Sequence, residues 1–121
     1  MQYMLMLYFS ELGWPSMTKA QQETGMAAYM AYRDALDKAG ILRAANSLQP
    51  SSTATTVRLA DGKPQVLDGP YTDSKEQVGG FYIIEVPDLD AAISWAARCP
   101  TATHGIVEIR PLGYPPPNCA D

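Results

Sequence analysis

The sequence predicts an α+β fold, a ferredoxin-like arrangement with an added hairpin. Three observations predict it. Apolar segments of strand length and two helical patterns follow one another as strand, long helix, three strands, strand, helix, strand. An Asp-Gly pair between two of these strands indicates a tight hairpin. The length of 121 residues suits one domain.

The first strand and the long helix open the chain. Gln2–Phe9 is apolar on both sides, as expected of a strand covered on both faces. Thr18-x-x-Gln21 is a capping box, and it predicts a helix over Lys19–Ala39. Small residues recur there at helical spacing, with Met30 and Leu36 beside them, and predict the face that packs on the sheet: Ala20, Thr24, Ala27, Ala31, Ala35 and Ala39. Gly40 supplies the C-terminal cap.

The middle of the chain is rich in strand-forming residues. Ile41–Gln49 is predicted as the second strand, and Thr53–Ala60 as the third. Asp61-Gly62 turns the chain into Pro64–Leu67, a short strand that proline confines to an edge. This pair of strands is the added hairpin.

The last third repeats the pattern of strand, helix and strand. Gly80–Val86 is apolar on both faces, like the first strand. Asp88 is a suitable N-cap for a helix over Leu89–Arg98, which Pro100 ends. Ile106–Arg110 is the final strand. The proline-rich residues 114–121 are predicted to be a flexible tail, which leaves residues 1–113 as the domain.

The apolar strands predict a partner. Two helices can cover only one face of this sheet, yet Met6 points away from Leu5, and Phe81 points away from Ile84. An identical sheet would cover the second face most simply. We therefore expect a homodimer formed through the sheet faces.

Composition excludes several classes of function. The 13 acidic and 9 basic residues give a net charge of −4 without a basic cluster, so nucleic acid is not an expected partner. The N-terminal apolar run is too short for a membrane span, and two scattered cysteines fit a reduced cytoplasmic setting. A single histidine predicts no transition-metal site, and no nucleotide-binding motif indicates a cofactor.

The segment "DGPYTDSKEQVGG" has a structural and a functional interpretation. Structurally, Gly69-Pro70 makes a turn, Asp73-x-x-Glu76 caps one helical turn, and Gly79-Gly80 permits a bulge or a close backbone approach. Functionally, the segment brings together side chains that suit a small polar ligand: Asp68, Tyr71, Lys75 and Glu76. We expect this corner to border the main cavity, with Asp68 fixing the turn by hydrogen bonds.

The last strand carries the remaining candidates. His104 is the one side chain whose ordinary pKa lies near neutrality, so it is the candidate acid/base. It lies about 13 Å along the strand from Glu108, so a carboxylate partner must come from another element; Asp68, Glu76 or an acid of another strand are the candidates. Glu108 and Arg110 share a face and could pair with each other, whereas Arg110 or Lys75 could hold an anionic group. The alternative is that His104 is an ordinary residue at a strand end.

Aromatic residues outside these segments have structural interpretations. Tyr29 and Tyr32 lie at helical spacing and are predicted to belong to the core or an interface. Trp14 lies in the loop before the long helix, where it could form the lip of a pocket or a dimer contact.

With these residues in view, the chain resembles the DGPF branch of the YCII-related proteins. The resemblance rests on "YMLMLYF", "AAYMAYRDALDKAGIL", "LQPSSTATTVRL", the DGPY segment through "AARCP", and "GIVEIRPL". Tyr71 takes the place of the phenylalanine in the DGPF motif. The resemblance implies a dimeric α+β barrel. Members of the broader group are proposed enzymes with an early His–Asp pair, and a relative dehydrochlorinates an aromatic compound. This chain has no histidine before His104, so that pair does not transfer.

These observations leave three functions open. The first is a dimer that binds a small polar molecule in a cavity near the DGPY corner. The second is a small-molecule lyase or isomerase with His104 as acid/base and Asp68 as its orienting partner. The third, which the resemblance suggests, is an accessory regulator in a sigma-factor-linked system.

Overall fold

An antiparallel sheet of four strands forms the centre of the protein. The computed structural model describes residues 1–113, and the predicted tail lies outside them. The strands are β1 (Gln2–Ser10), β2 (Leu42–Ser47), β5 (Glu76–Glu85) and β6 (Ile106–Pro111), in the spatial order β2-β5-β1-β6. This mixed α+β arrangement with antiparallel sheets is consistent with the predicted ferredoxin-like fold.

Helices and a separate hairpin complete the described residues. The helices are α1 (Gly13–Ser16), α2 (Lys19–Lys38) and α3 (Leu89–Arg98), and the hairpin strands are β3 (Thr55–Ala60) and β4 (Lys63–Asp68). Two short 3₁₀ turns cover Ser51–Thr53 and Pro100–Thr103. No helix in this part of the chain has the length and apolar character needed to cross a membrane.

The ends of α2 follow the predicted chemistry. The Thr18 hydroxyl accepts a hydrogen bond from the Gln21 backbone N–H, and the Gln21 side chain accepts one from the Thr18 N–H. These reciprocal bonds satisfy two amides that the helix leaves without internal partners. Gly40 follows the helix with φ of 73°, a left-handed conformation that glycine adopts without steric cost. Both predicted caps are confirmed.

The core lies between one face of the sheet and the helices. Leu5 and Ile84 from the central strands and Leu36 from α2 are fully buried. Tyr32 packs edge-on against Tyr82, with ring centroids 5.2 Å apart. Its hydroxyl donates a 2.7 Å hydrogen bond to the Trp95 carbonyl, which links the two long helices. Tyr32 is therefore a core residue, as predicted.

The predicted packing face of α2 was right for Leu36 but wrong for most of the small residues. Tyr32 and Leu36 are the buried residues of the helix and Tyr29 is half-buried, whereas the predicted stripe is exposed except for half-buried Ala35. The large side chains bury more apolar area than a row of alanines can, so they determine which face turns inward. At the N-terminal half, only small residues face the sheet, and they leave space beneath the helix.

The β3–β4 hairpin confirms the Asp-Gly prediction. Asp61 and Gly62 have φ of 52° and 74°, as a type I′ turn requires. The two strands form their own sheet, so the hairpin lacks a covering layer within residues 1–113. Consequently Val57, Leu59 and Val66 are 60%, 71% and 61% exposed.

The corner before β5 differs from the prediction. The strand begins at Glu76, which pairs with Ser10, so the predicted helical turn over residues 73–76 is absent. The Gln77 side chain donates hydrogen bonds to the Thr72 and Ser74 carbonyls and ties the loop to the strand. The predicted bulge is confirmed, because the register shifts at Gly79, which has no partner on β1.

Candidate functional site

A large cavity among the described residues lies beneath the N-terminal half of α2. It has a volume of about 1150 Å³ and opens to solvent. Leu7 and Tyr82 line its floor, and both point to the helix-covered face of the sheet. Gly25 and Ala28 line its roof on α2. The space exists because these helix residues are too small to reach the sheet.

Two aromatic rings form walls of the cavity, and each packs against a glycine that has no side chain to block it. A Cβ at Gly79 would lie 2.1 Å from Cζ of Phe9, so the Phe9 ring lies directly over the bulge of β5. A Cβ at Gly25 would lie 3.2 Å from Cζ3 of Trp14, so that ring lies against α2. Trp14 is 41% exposed at the mouth, which agrees with its predicted place at a pocket lip.

Most hydroxyl groups along the cavity already have partners. Tyr29 and Thr101 share a 2.6 Å hydrogen bond, and burial raises the pKa of the Tyr29 hydroxyl. Thr24 donates to the Ala20 carbonyl, and Thr103 donates to the Pro100 carbonyl. These groups are therefore already occupied by bonds within the chain.

His104 lies on the cavity rim, without the predicted carboxylate. Its ring centroid is 6.3 Å from that of Phe9, and its Nδ1 lies 3.4 Å from the Thr103 hydroxyl. No Asp or Glu of residues 1–113 lines the cavity, and the imidazole is exposed. Neither Asp68 nor Glu76 is brought to it. The imidazole contacts the Thr103 hydroxyl, but no carboxylate of the cavity lining orients it as an acid/base.

The DGPY corner lies at a different and smaller cleft. Asp68 and Tyr71 line a space of about 320 Å³ on the hairpin, together with Arg58. The expectation that residues 68–76 border the main cavity is not met within one chain, because none of them lines it. Among residues 1–113 the Asp68 carboxylate accepts no hydrogen bond; instead Gly69 N–H donates to the Ala54 carbonyl. The Thr56 hydroxyl donates a second bond, 2.8 Å long, to the Gly69 carbonyl, so the turn is held without the Asp68 side chain.

The other four predicted ligand-binding residues also lie away from the main cavity. Lys75 is exposed, and Glu76 begins β5; neither lines either cleft. Glu108 and Arg110 pair as predicted, with Oε2 of Glu108 3.0 Å from Nε of Arg110. Both lie on the open face of the sheet, next to Met6 and Met4 respectively. Their role in binding stays a prediction, as does that of Asp68 and Tyr71.

Sequence reasoning missed Phe9, Gly25 and Arg33 as cavity residues. Arg33 lies on the exposed side of α2 and lines the cavity. The separation of Gly79 from Phe9 along the chain conceals their contact, which exists only through strand pairing. The described residues contain no group of three His, Cys, Asp or Glu side chains that could hold a metal ion.

Comparison with known proteins now settles the family. The model of the YCII-related domain matches residues 1–113. The chain belongs to the YCII-related family. It is 33% identical over 114 residues to the uncharacterized protein R00369 of Rhizobium meliloti (strain 1021), covering 93% of this chain and 92% of that relative.

A solved structure shares the fold of this YCII-related protein. It is 5-chloro-2-hydroxyhydroquinone dehydrochlorinase (TftG) from Burkholderia phenoliruptrix AC1100, in complex with 2,5-dihydroxybenzoquinone. The TM-score is 0.54 at 16% identity, over 93% of this chain and 94% of that one. At this identity the similarity establishes the fold alone.

Proposed function

We propose that this YCII-related protein binds a small polar molecule in the cavity beneath α2. The observation that carries the proposal is the cavity itself: about 1150 Å³, with aromatic walls and a polar rim. Binding sites for small molecules are concave, mostly apolar and equipped with a few polar groups. The complex of the related fold with a dihydroxybenzoquinone supports a ligand of this size.

A paired substitution on α2 tests the proposal. Ala28 and Ala31 are both exposed on the helix, but only Ala28 lines the cavity. Ala28→Trp should fill the space, whereas Ala31→Trp places the same side chain outside it. A metabolite-binding screen with mass-spectrometric readout should recover a ligand with wild-type protein and Ala31→Trp, and lose it with Ala28→Trp. Recovery with all three proteins, or with none, would refute the proposal.

A second candidate is a lyase or isomerase that uses His104 as acid/base. Two observations favour it: His104 lies on the cavity rim, and the solved structure that shares the fold is that of a dehydrochlorinase. The missing carboxylate partner argues against it, so it ranks below ligand binding. If this activity exists, His104→Gln should reduce turnover roughly 10²–10⁴-fold, the usual contribution of a positioned acid or base. Unchanged turnover would end this candidate.

We also propose that two copies form a homodimer through the open sheet face, giving a dimeric α+β barrel. Met4, Met6, Phe81 and Ile83 are only partly buried there, on central strands. The uncovered hairpin adds further apolar surface that a second copy could bury. The cytoplasmic location expected from the cysteines stays a prediction, as does the accessory role in a sigma-factor-linked system that the DGPF resemblance suggests.

A further inference from the structure

The cavity beneath α2 has an electrostatic character opposite to that of the whole chain. The protein carries a net charge of −4, yet no acidic side chain of residues 1–113 lines the cavity. Arg33 is the formally charged residue in that lining. A cationic site without nearby carboxylates favours an anion over a cation or a neutral molecule.

Arg33 lines the cavity without an ion-pair partner, unlike several other cationic side chains of the described residues. Arg110 pairs with Glu108, Lys38 pairs with Asp34, and Arg98 lies 4.3 Å over the Trp95 ring. No carboxylate of residues 1–113 comes within ion-pair distance of Arg33. Its planar fork of donors is therefore available to a carboxylate, which it matches in a bidentate manner.

The shape of the cavity adds a second requirement. The Phe9 ring is positioned over the backbone of Gly79, and the Trp14 ring is positioned against Gly25. Flat rings stack well against such surfaces, and bulky saturated rings lose that contact. The hydroxyls of Tyr29 and Thr103 are engaged within the chain, whereas Arg33 and His104 are polar side chains of the lining that remain open to a ligand.

We propose that the cavity selects an aromatic carboxylate, with its ring against the aromatic walls and its carboxylate on Arg33. This inference rests on the proposed function and names the class of ligand for the same site. It assigns Arg33 as the residue that determines specificity for an anion.

Three simple probes separate charge from shape. Benzoate carries both the flat ring and the negative charge, benzamide keeps the ring without the charge, and cyclohexanecarboxylate keeps the charge without the flat ring. Their affinities for the purified full-length protein are measured by ligand-observed NMR titration at low ionic strength. We expect benzoate to bind at least about fivefold more tightly than either analogue, since a charge-assisted bond at a partly exposed site is worth roughly 1 kcal/mol or more.

Two arginine variants locate the effect. Arg33→Gln keeps a good helix-forming residue on the exposed side of α2, and it should abolish the preference for benzoate over benzamide. Arg58→Gln removes the same charge from the hairpin cleft lined by Asp68 and Tyr71, and it should leave the preference unchanged. Circular dichroism checks that both variants keep the fold.

The outcomes separate this inference from the proposed function. Equal binding of benzoate and benzamide, or a preference lost only in Arg58→Gln, would overturn the anion assignment. No detectable binding of benzoate would overturn it as well. The metabolite screen with Ala28→Trp would still test whether the cavity binds anything, so a neutral ligand recovered there would preserve the proposed function alone.

Discussion

Adding one methyl group at Gly79 tests how the cavity wall is built. In Gly79→Ala the new Cβ would lie 2.1 Å from Cζ of Phe9, and 2.6 and 2.8 Å from Cε1 and Cε2. Carbon atoms in contact are normally about 3.5–4.0 Å apart, so the ring must move by roughly 1.4 Å or more. The backbone itself tolerates alanine, because Gly79 does not have a positive φ.

The magnitude follows from two opposing effects. Overpacking a well-filled site costs about 1–3 kcal/mol. Alanine is favoured over glycine in a regular element by about 0.5–1 kcal/mol, which offsets part of that cost. We expect Gly79→Ala to lower the free energy of unfolding by about 1–2 kcal/mol. Because the displaced ring forms a wall of the cavity, ligand affinity should fall as well.

A double-mutant cycle with Phe9→Ala isolates the contact. Without the ring, the new methyl group meets no obstacle, and Gly79→Ala should become neutral or slightly stabilising. Chemical denaturation of the four proteins should thus give a coupling energy of about 1 kcal/mol or more. Gly105→Ala is the matched control. Its Cβ would also lie 2.1 Å from its neighbour, but that neighbour is the Tyr8 carbonyl oxygen, so the cost should persist without Phe9. An equal cost of Gly79→Ala in both backgrounds would refute the reasoning.

Three further predictions concern the dimer, alkaline stability and the start of α2. Met6→Asp should dissociate or unfold the proposed homodimer, because burying an unpaired charge costs several kcal/mol. The control Met26→Asp, at an exposed position, should leave the sedimentation coefficient unchanged. Identical sedimentation of the two variants would contradict the dimer. Burial raises the pKa of Tyr82 from 10.0 to about 12, so its contribution to stability is complete below pH 10 and is lost as the pH rises to about 12. Tyr82→Phe should make that decline shallower in denaturant titrations from pH 8 to 12, and an unchanged decline would contradict the assignment. Thr18→Ala should lower the free energy of unfolding by about 1 kcal/mol, because the capping bond is lost. Thr24→Ala, at an exposed position inside the helix, should lower it little. Equal shifts in melting temperature would contradict the capping role.

The element order could be predicted because it depends on local signals. The Thr18 capping box, Gly40 and the Asp61-Gly62 turn each act within a few residues, and each formed as predicted. Strand patterns apolar on both faces identified the open side of the sheet. The failures involve competition between distant segments. Residues 76–78 joined β5 because β1 was long enough to pair with them, which the local sequence does not reveal.

The face of α2 illustrates a similar limit. Alanines at regular spacing describe a possible packing surface, but Tyr32 and Leu36 bury far more apolar area on a neighbouring face. The helix rotates to bury the larger residues. The exposed alanines then become part of the surface, and Ala28 comes to lie over the cavity.

The cavity could not be predicted from the sequence because it results from missing side chains in separate segments. The DGPY corner attracts attention because its polar residues lie close together in sequence. The cavity is instead defined by Gly25 and Gly79, each of which lies beneath an aromatic ring from another element. Its charge likewise comes from one arginine on α2 and the absence of acids on the other elements that line it. A cluster of polar residues within one loop is more often the signature of a turn, since its members satisfy the backbone of that loop. For this fold, the informative pattern is therefore a glycine beneath an aromatic residue of another element.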